Sequence, residues 1–178
     1  MKVILIRHGE PRYDEVLSRN YRVIRNDLGR LTELGVKQAE TVSNDPRLKG
    51  ASLIVSSPYT RSLQTAAIIS RLTNIPLTVE NDLHEWIPDY NFTFPDKVDT
   101  AYHDFMDNRG IEYPNKKVDW ESLDSLYNRT KNSLKPYLNY EKIIVVCHGM
   151  VMRALYDFDE HVDYCGIREI ELNKEDFL

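Results

Sequence analysis

With 178 residues, 42% of them hydrophobic, the chain is long enough for one full core and too short for two comfortable ones. A formal net charge of -5 argues against nucleic-acid or membrane-surface binding, which need an excess of Lys and Arg on one face, and leaves a small molecule as the expected partner. Two cysteines rule out a disulfide framework, the opening MKVILIRHGE is too short and too soon charged for a signal peptide, and no apolar run nears the roughly 20 residues of a membrane span, so a soluble cytoplasmic protein is expected.

In chain order, Lys2–Ile6 is a continuous β-branched run ending in Arg7-His8-Gly9 and reads as a buried parallel strand. The loop after it carries Arg12, Arg19, Arg22, Arg25 and Arg30, either a hold for a second anionic group of a substrate or a solvated loop. Thr32 can cap a helix carrying Leu34, Ala39 and Val42. A second strand, Ser52–Val55, runs into Ser56-Ser57-Pro58-Tyr59-Thr60-Arg61, where Thr60 caps a helix bearing Leu63, Ala66, Ala67 and Leu72. Leu77–Val79 reads as a short strand. From about residue 81 to 120 the rhythm breaks: Pro88, Pro95, Gly110, Pro114 and both tryptophans fall within poor periodicity. Eight of the eighteen aromatics lie there, enough to pack this excursion as a small lid over the sheet's edge, the alternative being a structural insertion. Leu123, Leu126, Tyr127, Thr130, Leu134, Tyr137 and Leu138 mark the longest helix, which Pro136 should end early. Lys142–Cys147 is the third strong strand, Gly149 opens a helix with Val151, Ala154 and Leu155, and Ile167, Ile170 and Leu172 suggest a closing strand. The pattern is α/β, with helices on both faces of the sheet, in one domain spanning 1–178.

Two strands thus end alike, in Arg7-His8-Gly9 and Cys147-His148-Gly149. Ligands of open α/β sheets bind outside the carboxyl ends of the strands, so both histidines and Arg61, in the first turn of its helix, should face one edge. Four such donors without an interleaved acid would repel one another unless an anion sat between them. A phosphoryl group fits, because guanidinium forks match its oxygens and helix amides near Thr60 and Gly149 add donors. With one imidazole in line as nucleophile, the other groups can neutralise the transition state, and no metal or other cofactor is required. Cys147 alternates to the opposite side from His148 and belongs to the core. His84-Glu85 lacks the second histidine a zinc protease needs, and His103 and His161 have no partner pattern.

These residues resemble the histidine phosphatase superfamily, also called phosphoglycerate mutase-like. The resemblance runs through Arg7-His8-Gly9, Leu31-Thr32-Glu33-x-Gly35-x-x-Gln38-Ala39, Ser56-Ser57-Pro58-x-x-Arg61-x-x-x-Thr65-Ala66 and His148-Gly149. It implies a three-layer α/β/α sandwich with a mostly parallel, mixed sheet, a phosphohistidine on His8, and a phosphate pocket of Arg7, Arg61 and His148, with Gly149 beside it. It also implies a proton donor at the start of the excursion, where Glu85 is the choice and His84 the rival. A carboxyl kept protonated by burial and a neighbouring anion suits the departure of an alkoxide. Where family members often carry Thr-x-Trp-Asn, this chain has Pro11-Arg12-Tyr13-Asp14, leaving Arg12, Tyr13 and His84 as weaker substrate-contact candidates and Asp14 a poor phosphate ligand.

The expected activity is phosphomonoester hydrolysis. The alternatives are mutase-type transfer, which in this family goes with longer chains and more basic residues, and a phospholigand-binding module without turnover. The excursion carries nine Asp or Glu against four Lys or Arg, which should disfavour highly anionic substrates.

Overall fold

The structure, a computed structural model, describes residues 1–19, 21, 26–92 and 98–178. Arg22 and Arg25 of the Arg-rich loop, and Phe94, Pro95, Asp96 and Lys97 of the excursion, lie outside the described residues.

Among the described residues, five strands form the main sheet: β1 (Lys2–Arg7), β4 (Ile54–Ser56), β5 (Leu77–Val79), β6 (Lys142–Cys147) and β7 (Ile167–Glu171), with β2 (Pro11–Arg12) and β3 (Arg30–Leu31) making a small separate ladder. Their order is β5-β4-β6-β1-β7. All neighbours pair in parallel except β7, which runs antiparallel to β1. This is the mixed, mostly parallel sheet expected. Along the central strands alternate residues go to opposite faces. Val3, Leu5, Val55, Ile143, Val145 and Cys147 join one core, while Ile4, Ile6, Ile54, Ile144 and Val146 join the other, all fully buried. Each fully buried aliphatic side chain contributes about 1.5–3 kcal/mol, so both faces need a cover.

Helices α2 (Glu33–Val42) and α3 (Thr60–Thr73) supply one cover through Val42, Ala66 and Ile69. The other combines α5 (Leu123–Ser133), α6 (Gly149–Leu155) and the excursion, including α4 (Val98–Asp107). A short α1 (Asp14–Ser18) follows β2.

Several sequence expectations are adjusted. Among the described residues the longest helix is α3, with 14 residues; α5 stops after 11, at Ser133, and Pro136 sits in a following 3-10 turn because its ring excludes an α-helical interior. Thr60 is the first residue of α3 rather than its cap; Tyr59 takes that place, without a side-chain bond. The second strand begins two residues later and ends one residue later than expected, at Ile54–Ser56, although Leu53 still accepts from Ile144 N at 2.9 Å. The excursion is more regular than its prolines suggest: Ala101 and Phe105, four apart, seat α4 in the core.

Candidate active site

The β1–β6 register sets Arg7 opposite Cys147, so His8 and His148 leave neighbouring strands side by side. Their rings lie 5.2 Å apart, edge to face. Ser56 is level with Val146, which brings Ser57 and the start of α3 to the same edge.

His8 is 4% exposed. Its Nδ1 is 2.8 Å from the Gly9 carbonyl; a carbonyl only accepts, so Nδ1 carries the proton and Nε2 holds the lone pair. Arg61 Nε donates to that Nε2 at 3.1 Å. Burial, then the Arg61 charge, pull the His8 pKa down to about 3, with a smaller push from Arg7, so the ring is neutral near pH 7. His148 is fully buried and likewise held well below the ordinary histidine range, first by burial, then by Arg61 and His8. Its Nε2 is 2.7 Å from Ser57 Oγ and 3.3 Å from Ser62 Oγ.

Arg7 donates through Nη1 to Val162 O at 2.6 Å and lies 4.3 Å over the Tyr164 ring. Arg61 donates through Nη1 to Asn26 O at 2.8 Å and sits 5.2 Å from the Tyr59 ring. A Cβ built on Gly149 would stand 3.5 Å from Arg7 Nε, so Gly149 brings the start of α6 against that guanidinium. Among the described residues two buried side-chain nitrogens lack a hydrogen-bond partner, Arg7 Nε and His148 Nδ1. Buried polar atoms are normally satisfied, so both nitrogens remain to be paired, by water or by a ligand, at this sheet edge.

The pocket is not free of acids, which corrects the expectation of four donors without one. Glu85 and Asp27 both lie within the field of Arg61. Burial raises the Glu85 carboxyl above its ordinary value, against the opposing effects of the Trp86 N–H, Arg61, the Met150 N–H and Arg7. Glu85 Oε1 accepts from Trp86 N at 2.9 Å. Burial also raises Asp27, which bonds the Tyr59 side chain. His84 points Nδ1 at Glu85 O, 2.8 Å away, and stacks on Tyr59 at 6.1 Å between centroids.

A cavity of about 760 Å³ opens over Arg7, Arg61, Glu85 and Gly149. Tyr13, Tyr59, His84, Trp86, Tyr102 and Met150 are on its walls. Tyr13 and His84 therefore join the site, and α4 of the excursion contributes Tyr102. Arg12 does not join it: its Nε and Nη2 bind Asp14 at 2.9 and 2.5 Å on the exposed surface, and Arg12 is not on the cavity wall. The same pairing occupies Asp14, and Arg30 is engaged with Glu15. Cys147 lies in the core, its thiol pKa raised by burial. No group of three or more His, Cys, Asp or Glu among the described residues could hold a metal ion. No helix among them is long and apolar enough to cross a membrane.

Sequence reasoning missed Asp27, Tyr164 and the pair Glu121–Arg129 behind the Glu85 loop. Tyr59 and Ser57 were within the Ser56–Arg61 motif but carried no signal of their own.

Known proteins resemble the chain along nearly its whole length. The family model of the histidine phosphatase superfamily, branch 1, matches residues 3–175. Phosphoserine phosphatase 1 of Hydrogenobacter thermophilus is 30% identical over 98% of this chain and 79% of its own length. Phosphoglycerate mutase-like protein 4 of Arabidopsis thaliana is 29% identical over 88% of this chain and 70% of its own. Among solved structures, a mycobacterial glucosyl-3-phosphoglycerate phosphatase superposes with a TM-score of 0.72 at 17% identity, covering 97% of this chain and 90% of that one, a likeness of fold.

Proposed function

This chain belongs to the histidine phosphatase superfamily, and from that premise we propose that it hydrolyses phosphomonoesters through a phosphohistidine on His8, without a metal. The observation that carries the reading is the orphan pair, Arg7 Nε and His148 Nδ1, buried beside a neutral imidazole whose Nε2 lone pair faces Arg61. In this reading His148 is the tautomer with its proton on Nδ1, its Nε2 accepting from Ser57 Oγ, and the incoming phosphoryl oxygens accept from that Nδ1 and from Arg7 Nε and draw Arg61 off the lone pair. His8 Nε2 then attacks phosphorus; the P–N bond forms as the P–O bond to the alcohol breaks, and the proton on Glu85 passes to the departing oxygen. Water attacks the phosphohistidine, giving its proton to the Glu85 carboxylate; phosphate leaves and the lone pair returns. Arg7, Arg61 and His148 stabilise the equatorial oxygens throughout.

Residues 1–178 are taken as one domain whose excursion, 81–120, acts as a lid, with Trp86 and Tyr102 beside the alcohol portion of the substrate. Hydrolysis is favoured over mutase transfer because Arg12 and Arg30, two of the five arginines that could hold a second anionic group, are engaged by Asp14 and Glu15. Turnover is expected to persist in a chelator, and a quench with labelled substrate should leave acid-labile, base-stable label on His8. Activity restored by one divalent ion, or label on Ser57 or Cys147, would reject the mechanism. Product analysis with a phosphoglycerate separates hydrolysis from transfer.

A further inference from the structure

Behind the loop that carries Glu85, one side chain spends all of its donors. Arg129, on α5, binds Glu121 through Nε at 2.6 Å and Nη2 at 2.8 Å, a fork on a carboxylate that is fully buried. Its Nη1 donates to the carbonyls of Asp82 and His84, at 2.6 and 3.0 Å, and its Nη2 also donates to the carbonyl of Glu85 at 3.1 Å. Glu121 grips the same loop from the other side: Oε2 accepts from Ile87 N at 3.1 Å, its carbonyl accepts from Trp86 Nε1 at 2.7 Å, and its N–H donates to Ile87 O at 2.9 Å.

One peptide unit joins this clamp to the chemistry. The plane between residues 85 and 86 offers its carbonyl to Arg129 Nη2 and to His84 Nδ1, and its N–H to Glu85 Oε1. Arg129 thus holds one end of a rigid plane whose other end holds the carboxyl. A peptide is planar, so the carbonyl cannot turn without taking the N–H with it.

We infer that Arg129, braced by Glu121, is a positioning residue for proton donation by Glu85, aiming the carboxyl through the 85–86 peptide. The inference rests on the reading of Glu85 as the acid. Loss of the grip frees the plane, misdirects the carboxyl and removes the N–H bond that favours its ionised form. The alkaline limb of the pH profile should then move to higher pH while turnover of poor leaving groups falls.

The test uses the full chain and single-turnover phosphorylation of His8 by ethyl phosphate, whose alkoxide needs a proton, and by 4-nitrophenyl phosphate, whose phenolate does not. In Arg129→Met the ethyl phosphate rate should fall at least about tenfold more than the nitrophenyl rate, a modest part of what general acids contribute. Arg129→Lys keeps the charge without the fork and should recover only part of that difference. Glu121→Gln, a milder change that leaves the fold its shape, should show the same discrimination to a smaller degree. The double variant Arg129→Met with Glu85→Gln should discriminate no more than Glu85→Gln alone, since both act on one proton. If Glu85→Gln discriminates but the Arg129 and Glu121 variants slow both substrates equally, the clamp is only structural and the inference fails. If Glu85→Gln does not discriminate, the acid reading fails and takes the inference with it.

Discussion

Neutrality at His8 comes from burial beneath two guanidinium groups, and the same burial ties folding to pH. Its folded pKa, about 3, lies below the unfolded value of 6.5, so the unfolded chain binds the proton first. The stabilisation is complete above pH 6.5 and is lost as pH falls toward 3. At pH 5 His8 alone should cost about 2 kcal/mol relative to pH 7.5, and His148 and His84, shifted in the same direction, add to it. Glu85 has the opposite sign, because its raised pKa favours folding below its unfolded value. Urea unfolding of unliganded protein at the two pH values should show the loss, and His8→Gln should shrink it; equal losses in both proteins would refute the burial account. At this scale Arg7, His8, Arg61 and His148 were legible, since strand ends name their own neighbours. Asp27 and Tyr164 were not: Tyr164 meets the His8 ring at 5.7 Å across more than 150 residues of chain, and no spacing rule reaches that far.

The elements explain why Gly9, Thr32, Gly35, Gln38 and Thr65 stand where they do in the motifs. Gly9 N donates to Thr65 Oγ1 at 3.0 Å, Glu10 N to Gln38 Oε1 at 2.8 Å, and Thr32 Oγ1 to Glu10 Oε2 at 2.6 Å. Thr32 also caps α2 by accepting from Gly35 N. The exit loop of β1 is thereby pinned to α2 and α3, and Gly9 and Gly35 let the backbones meet. A Cβ at Gly35 would come 2.3 Å from Glu10 O, against backbone that has nowhere to go. Gly35→Ala should therefore cost about 1–3 kcal/mol, as overpacking does, and reduce phosphorylation of His8 more than the loss of folded protein explains. Thermal melts with a phosphorylation assay check both; an active, equally stable variant would show that the contact relaxes freely. Strand positions were readable because buried parallel strands are continuous apolar runs. Helix ends were less so, because Ser133 stops α5 through a 3-10 turn and Asn74, in a left-handed conformation, ends α3.

For the molecule as a whole, the excursion is part of the core as much as a wall of the cavity. Trp120 is fully buried, donates Nε1 to Asp104 Oδ2 at 2.8 Å, meets Phe105 edge to face at 5.3 Å and lies under Lys116 Nζ at 4.2 Å. Trp120→Ala should cost about 3–5 kcal/mol, with a matching fall in Tm, and should loosen the neighbouring Glu121 and the 82–87 loop it holds. A variant that melts like the parent would mean that the excursion is anchored elsewhere. The sequence reading saw an aromatic-rich segment but not α4, because prolines and glycine on either side mask a helix held by Ala101 and Phe105.

The contact between Arg61 and the free nitrogen of His8 has a consequence for selectivity. At rest the lone pair is occupied, so an electrophile with no negative charge finds nothing to attack it, and stray alkylating or acylating compounds should pass the site unreacted. Only a molecule bearing an anion can compete for the guanidinium and expose the ring. On the proposed mechanism, recognition of the phosphoryl group comes before reactivity, and the resting chain is chemically quiet until the right guest switches it on.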